Sequence, residues 1–222
     1  MTSASATERR ARTFVLASAS PARLRVLRGA GIDPLVRVSA VDEDAIIAHL
    51  GPSANPAAVV TTLAEAKARD VVSRFADIGD ESVSRGGAVV VGCDSMLLHR
   101  GTLTGKPHTA ARAAAQWRAL RGGTAELITG HCVLSDGRAE VATAATTIRF
   151  ADIDDATIDT YVATGEPLDV AGAFTLDGIG GWLIDGIDGD PSSVIGISLP
   201  LVRKLLERLD IRVADLWPAR QL

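Results

Sequence analysis

The tightest constraint on this chain is the run Ala88-Val89-Val90-Val91, with Gly86-Gly87 before it and Gly92-Cys93-Asp94-Ser95 after it. Four consecutive apolar, mostly β-branched residues read as a strand covered on both faces, which requires a sheet with helices on either side. The pattern predicts that the strand ends near Gly92 and that the Asp94 carboxylate stands where it emerges. Open α/β sheets bind ligands at the carboxyl ends of their strands. Gly105-Lys106-Pro107 then adds a cation after a short turn. Taken alone, this stretch also fits a surface loop with one acid and one base.

The flanking segments supply the helices. Residues 13–17 read as a strand that passes through Ser18-Ala19-Ser20 directly into a helix beginning Pro21-Ala22-Arg23. Ser20 suits the N-cap, Pro21 the first helical position, and Gly29 or Gly31 the C-cap. Two readings fit this mouth: simple capping, or an anion site built from free N–H groups, the helix dipole, Ser18, Ser20 and Arg23. Residues 35–41 alternate like a half-exposed strand and end in Asp42-Glu43-Asp44, which reads as a solvated turn. A long helix is predicted over 57–75, its apolar stripe formed by Val60, Leu63, Val71 and Phe75 with Lys67 between them. A lysine there is either paired, lines a cavity, or runs its stem along the surface with the ammonium in water.

Downstream, 109–120 reads as an Ala-rich helix carrying Trp117. Residues 124–134 and 138–150 read as a hairpin turning at Ser135-Asp136-Gly137, and 154–162 as a helix. Residues 172–182 are glycine-dense, and a last helix is predicted over 200–209. Alternating strands and helices with an antiparallel pair inserted specify a mixed α/β sheet flanked by helices. Residues 1–12 read as a frayed tail and 13–215 as one domain.

Composition removes several function classes. A net charge of −4 is wrong for a non-specific nucleic-acid binder. No apolar run approaches the ~20 residues of a membrane helix. Two cysteines, Cys93 and Cys132, imply no disulfide framework, so a reducing, cytoplasmic setting is expected. Gly105-Lys106 is followed by Pro107, so there is no Walker loop, and Gly178-Ile179-Gly180-Gly181 lacks the dinucleotide spacing. His131-Cys132 has no C-x-x-C partner for zinc. Asp185, Asp188 and Asp190 match a calcium loop only loosely, because its twelfth position is Gly196. No nucleophile–His–acid set stands out. Of 23 basic residues only Lys67, Lys106 and Lys204 are lysines, and two of these join Ser18, Ser20, Arg23 and Asp94 in a set suited to phosphate chemistry. Phosphoryl and nucleotidyl transfer need cations around the leaving phosphates and an acid for water or a metal.

In order, these segments resemble the Maf family of nucleoside triphosphate pyrophosphatases. The likeness is carried by Leu16-Ala17-Ser18-Ala19-Ser20-Pro21-Ala22-Arg23 with Leu27, Val41-Asp42-Glu43, and Leu63-Ala64-Glu65-Ala66-Lys67-Ala68. It continues through Val91-Gly92-Cys93-Asp94-Ser95, Gly105-Lys106-Pro107, Tyr161 with Gly165-Glu166-Pro167, Ala171-Gly172-Ala173-Phe174, and the stretch from Gly189 to Pro200. It covers about residues 13–210. The resemblance implies a Maf/Ham1-like α/β fold of two lobes around a cleft. It also implies hydrolysis of a nucleoside triphosphate to monophosphate and pyrophosphate, dependence on Mg²⁺ or Mn²⁺, and a homodimer as a common state.

By the same resemblance, Asp94 is the proton acceptor or a metal ligand, Glu43 a second metal position, and Lys67, Lys106, Ser18, Ser20 and Arg23 the triphosphate-binding set. Three positions depart from the pattern. Ala22 stands where Arg is usual, Ser95 where the pyrimidine-hydrolysing branch has Thr, and Asp177 where that branch has Gln. The 7-methyl-GTP branch is acidic at the last position, and Asp190-Pro191 also resembles that branch. Ser95 and Asp177 are therefore expected to help choose the base, away from a strict dTTP/UTP preference. The competing expectation is a nucleotide-binding regulator of septum formation with little catalysis.

Overall fold

The structure is a computed structural model and describes residues 12–75 and 87–217; most of the predicted tail, residues 1–11, lies outside them. The elements run β1 (Thr13–Leu16), α1 (Pro21–Gly29), β2 (Leu35–Val36), α2 (Glu43–Leu50), α3 (Pro56–Ser73), β3 (Ala88–His99) and β4 (Thr102–Thr104). They continue with α4 (Ala110–Leu120), β5 (Thr124–Ser135), β6 (Arg138–Phe150), α5 (Asp155–Ala163), β7 (Ile184–Asp188), α6 (Pro191–Ile195) and α7 (Leu199–Arg208). Short 3₁₀ turns occupy part of the stretch between 166 and 183.

The fold is α/β, with a mixed open sheet of order β2-β1-β3-β5-β6-β7 and β4 paired to β3. β2, β1 and β3 are parallel, while β3-β5, β5-β6 and β6-β7 are antiparallel. Alternation along β1 and β3 serves two faces, as the apolar run required. Leu16, Val89, Val91 and Cys93 pack with Leu27, Val202, Leu205 and Leu206 beneath α1 and α7. Val15, Val90 and Cys132 pack against Ala64, Ala68 and Val71 of α3.

A second core fills the other lobe. Leu97, Leu127, Ile148 and Phe150 surround Trp117, Tyr161 and Phe174. Trp117 meets Phe150 and Tyr161 edge-on, with ring centroids 5.5 and 5.4 Å apart. Its indole N–H donates to Ala173 O at 2.7 Å, satisfying the one polar group a buried Trp carries.

Three expectations change. The central strand continues to His99, so Asp94 lies in mid-strand and not at its end. What ends here is β1: its pairing stops at Leu16–Val91, and β4 pairs with β3 only from Leu97. Residues 92–96 thus have a strand neighbour on the β5 side alone, and this gap separates the two cores. The alternating stretch 35–41 is a strand only at Leu35–Val36, because β1 offers no pairing partner beyond Leu16. The acidic triplet is a helix start: Asp42 accepts from Ala45 N at 2.9 Å, and Glu43 and Asp44 occupy the first turn of α2, where the dipole favours them. Among the described residues no helix is long and apolar enough to cross a membrane.

Candidate active site

A cleft of about 550 Å³ opens at the gap in the sheet. All nine residues singled out from the sequence line it: Ser18, Ser20, Arg23, Glu43, Lys67, Asp94, Ser95, Lys106 and Asp177. They come from segments far apart in the chain, and close backbone approaches bring them together. Gly130 of β5 is the register partner of Asp94, Gly92 lies two residues before Asp94 on β3, and both glycines face α3. A Cβ on Gly92 would stand 2.1 Å from Ala64 O, and one on Gly130 2.2 Å from Val60 O. Without side chains at these two points the α3 backbone lies directly on the sheet, and the helix delivers Lys67 to Asp94.

Lys67 is 7% exposed, which decides between its three readings: it is paired and lines the cleft. Its Nζ lies 2.6 Å from Asp94 Oδ1 and 2.8 Å from Glu43 Oε1. Asp94 is equally buried. Burial pushes its carboxyl above the ordinary range, against the pull of the Lys67 and Arg23 cations. An acid with a raised pKa, held beside an ammonium, is a better proton acceptor near neutrality than an unperturbed aspartate with a pKa of about 4.

On the opposite face of the sheet Arg23 acts as a fixed bracket. Nη1 donates to Ser18 Oγ at 2.9 Å, Nε to Gly196 O at 2.8 Å and Nη2 to Ser95 Oγ at 3.3 Å. Ser20 Oγ accepts from Arg23 N and caps α1. Capping and an anion site therefore coexist here, since Ser18, Ser20 and Arg23 all still border the cleft. Ser95 Oγ is 3.0 Å from Thr129 Oγ1. Lys106 is exposed at the cleft edge and has no hydrogen bond or ion pair among the described residues. Asp177 is not free: Arg25 Nη2 donates to its Oδ2 at 2.8 Å, pairing α1 with the glycine-dense wall.

The donor set bears on the expected divalent cation. Glu43 and Asp94 each give one oxygen to Lys67 and keep a second, and among the described residues no cluster of three or more His, Cys, Asp or Glu is present. That suits a cation such as Mg²⁺, which is commonly held by one or two carboxylates plus substrate phosphates. Cys93, next to Asp94, is a thiol that burial pushes up to about 11, so it stays protonated and inert.

Sequence reasoning missed Arg25, Thr129 and Glu166. Arg25 and Glu166 border the cleft, whereas Thr129 meets it through Ser95. For Glu166 a signal was available, in the Gly165-Glu166-Pro167 turn followed by the glycine-dense run. His131 serves the scaffold: its Nε2 accepts from Ser198 N at 2.8 Å and its Nδ1 is 3.1 Å from Thr129 O. Ser198 also caps α7, and burial pushes the His131 pKa down to about 4.

Residues 13–209 match the family model described as Maf-like protein. The chain is 57% identical over 210 residues to a nucleoside triphosphate pyrophosphatase of Rhodococcus jostii (strain RHA1), covering 92% of this chain and 96% of that protein. It is 59% identical over 215 residues to one of Nocardia farcinica (strain IFM 10152), covering 94% and 99%. A third, from Corynebacterium diphtheriae, is 51% identical over 204 residues, covering 92% and 98%.

Proposed function

Because the chain belongs to the family of Maf-like proteins, we propose that it is a nucleoside triphosphate pyrophosphatase, releasing nucleoside monophosphate and pyrophosphate. The observation that carries the chemistry is the buried Lys67–Asp94 pair, joined from the solvent side by the half-exposed Glu43, in a cleft also lined by Ser18, Ser20, Arg23 and Lys106. A regulator without catalysis has no need of a buried ammonium between two carboxylates, since burying charge is costly and persists where chemistry requires it.

In this reading a water attacks the α-phosphorus. Its oxygen forms the new P–O bond, the bond from α-phosphorus to the bridging oxygen breaks, and pyrophosphate leaves. Asp94 takes the water's proton. Lys67 holds Asp94 in place and offers positive charge to the α-phosphate, while Lys106, Arg23 and the Ser18 and Ser20 hydroxyls meet the β- and γ-phosphates. Glu43 would hold Mg²⁺ or Mn²⁺ together with the phosphates, with Asp94 as second ligand if its free oxygen serves the metal in place of the proton; the cation, when bound, would neutralise phosphate charge and acidify water. Ser95 and Asp177 face the nucleoside. With Arg25 already on one oxygen, Asp177 offers the other to an amino or ring N–H donor, as guanine and cytosine present. The same reading includes a cytoplasmic setting and a homodimer.

Pyrophosphate release from a panel of nucleoside triphosphates with Mg²⁺ or Mn²⁺, with Asp94→Asn alongside, tests it. Turnover by the wild type and none by the folded variant is expected. No release from any triphosphate, or near-normal release by Asp94→Asn, would overturn the mechanism. Preference for dTTP and UTP far above GTP, CTP and 7-methyl-GTP would overturn the base assignment.

A further inference from the structure

Glu166 lies just after Gly165 and lines the same cleft. Its carboxylate accepts four hydrogen bonds. Tyr161 Oη at 3.0 Å, Thr175 Oγ1 at 2.5 Å and Gly180 N at 2.9 Å all donate to Oε1, and Ile179 N donates to Oε2 at 2.9 Å. No Lys or Arg within the described residues pairs with it. Burial alone would raise its pKa, but the donors from Thr175, Gly180, Ile179 and Tyr161 outweigh that and hold it below the usual range.

The glycines report the same arrangement independently. A Cβ on Gly178 would stand 2.6 Å from Glu166 Oε2, and one on Gly180 2.6 Å from Tyr161 Oη. The segment 175–180 is wound around a single carboxylate, and its glycines are the positions where it comes too close for a side chain. Between those anchors, Thr175, Leu176 and Asp177 form the cleft wall.

We infer that Glu166 is a positioning residue that fixes this wall and thereby sets which bases the enzyme accepts. The inference rests on reading the cleft as a nucleoside triphosphate site. Only an acceptor-only group satisfies four donors converging on it. An amide at this position presents its NH₂ to at least one of them, so the wall loosens while the phosphate-binding groups, which belong to other segments, keep their places.

The test measures kcat and KM over a panel of nucleoside triphosphates for wild type, Glu166→Gln and Gly178→Ala, with inhibition by inorganic tripolyphosphate, which has no base. In both variants the ratio of kcat/KM between best and worst base is expected to fall about tenfold, the scale of one lost charge-assisted hydrogen bond. KM for the best substrate should rise with kcat nearly unchanged, and the tripolyphosphate inhibition constant should stay within about twofold. Gly178→Ala leaves Glu166 intact and crowds the loop off it, so it tests the inference even if Glu166→Gln does not fold. Unchanged base ratios in an active Gly178→Ala variant overturn the inference and leave the pyrophosphatase reading standing. So does weakening of tripolyphosphate in parallel with the nucleotides, the mark of general damage. A wild type that releases pyrophosphate from no nucleotide overturns the parent reading, and this inference with it.

Discussion

Replacing Gly92 by alanine is expected to cost stability and catalysis together, through one displacement of α3. The new Cβ would stand 2.1 Å from Ala64 O and 3.0 Å from Ala68 N, where ordinary contact begins at 3.4 Å. Both neighbours are backbone, so no side chain can swing away, and α3 has to retreat by roughly 1 Å. Ala64 and Ala68 lie on either side of Lys67, so that retreat is passed directly to the ammonium held 2.6 Å from Asp94. Overpacking of this kind costs about 1–3 kcal/mol, a fall in melting temperature of several degrees for a chain of this length. A 1 Å misplacement of a catalytic group costs about 100-fold in rate. Circular dichroism melting combined with a coupled pyrophosphate assay separates the two effects. Gly29→Ala is the control, because its Cβ meets nothing within 4 Å. If Gly92→Ala is destabilised yet keeps kcat within about threefold of wild type, the seat of α3 does not set the geometry of Lys67 and the reasoning fails.

The pH dependence should carry the mark of Asp94. Its pKa is raised in the folded state, so an acid limb of kcat/KM is expected above the ordinary aspartate value of about 4; a limb at or below that value would refute the assignment. For stability the same shift has a definite sign. The contribution of Asp94 is full below its unfolded pKa and lost as pH rises through the folded one. His131 acts in the opposite sense: lowered from 6.5 to about 4, it contributes stability above 6.5 that is lost as pH falls toward 4. His131→Asn should flatten that part of a denaturant-midpoint-against-pH curve, and an unchanged slope would count against it. Lys67→Met leaves Glu43 and Asp94 facing each other without their cation. Activity should vanish and stability drop by about 3–5 kcal/mol, and a variant that melts like wild type would show the ion pairs to be dispensable.

Much of the fold was legible because the signals that build it are short-range. Ser20 and Pro21 start α1, Thr109 caps α4, Asp154 caps α5 and Ser198 caps α7, each through a contact within three residues. The unbroken apolar run 88–91 announced a strand sandwiched between two cores, and the hairpin turned where Asp136-Gly137 said it would. The nine cleft residues were also legible, the rarity of lysine having drawn attention to Lys67 and Lys106. The misreadings have non-local causes. Residues 37–41 have the pattern of a strand, but β1 has already ended, so no partner remains. Asp94 was placed at a strand end because the apolar run stops there, whereas β3 goes on, paired to β5.

The sequence by itself determined which residue types gather at this cleft and which helices and strands carry them, since capping and periodicity act over a few residues. Tertiary structure alone decided what those residues do to one another. Lys67 is shared between Glu43 and Asp94, Arg25 holds Asp177, and Glu166 gathers three donors from a loop up to 14 residues away and a fourth from Tyr161 of α5. Those pairings follow from how closely backbones approach at Gly92, Gly130, Gly178 and Gly180, a distance set by the packing of whole elements that no local run of residues specifies.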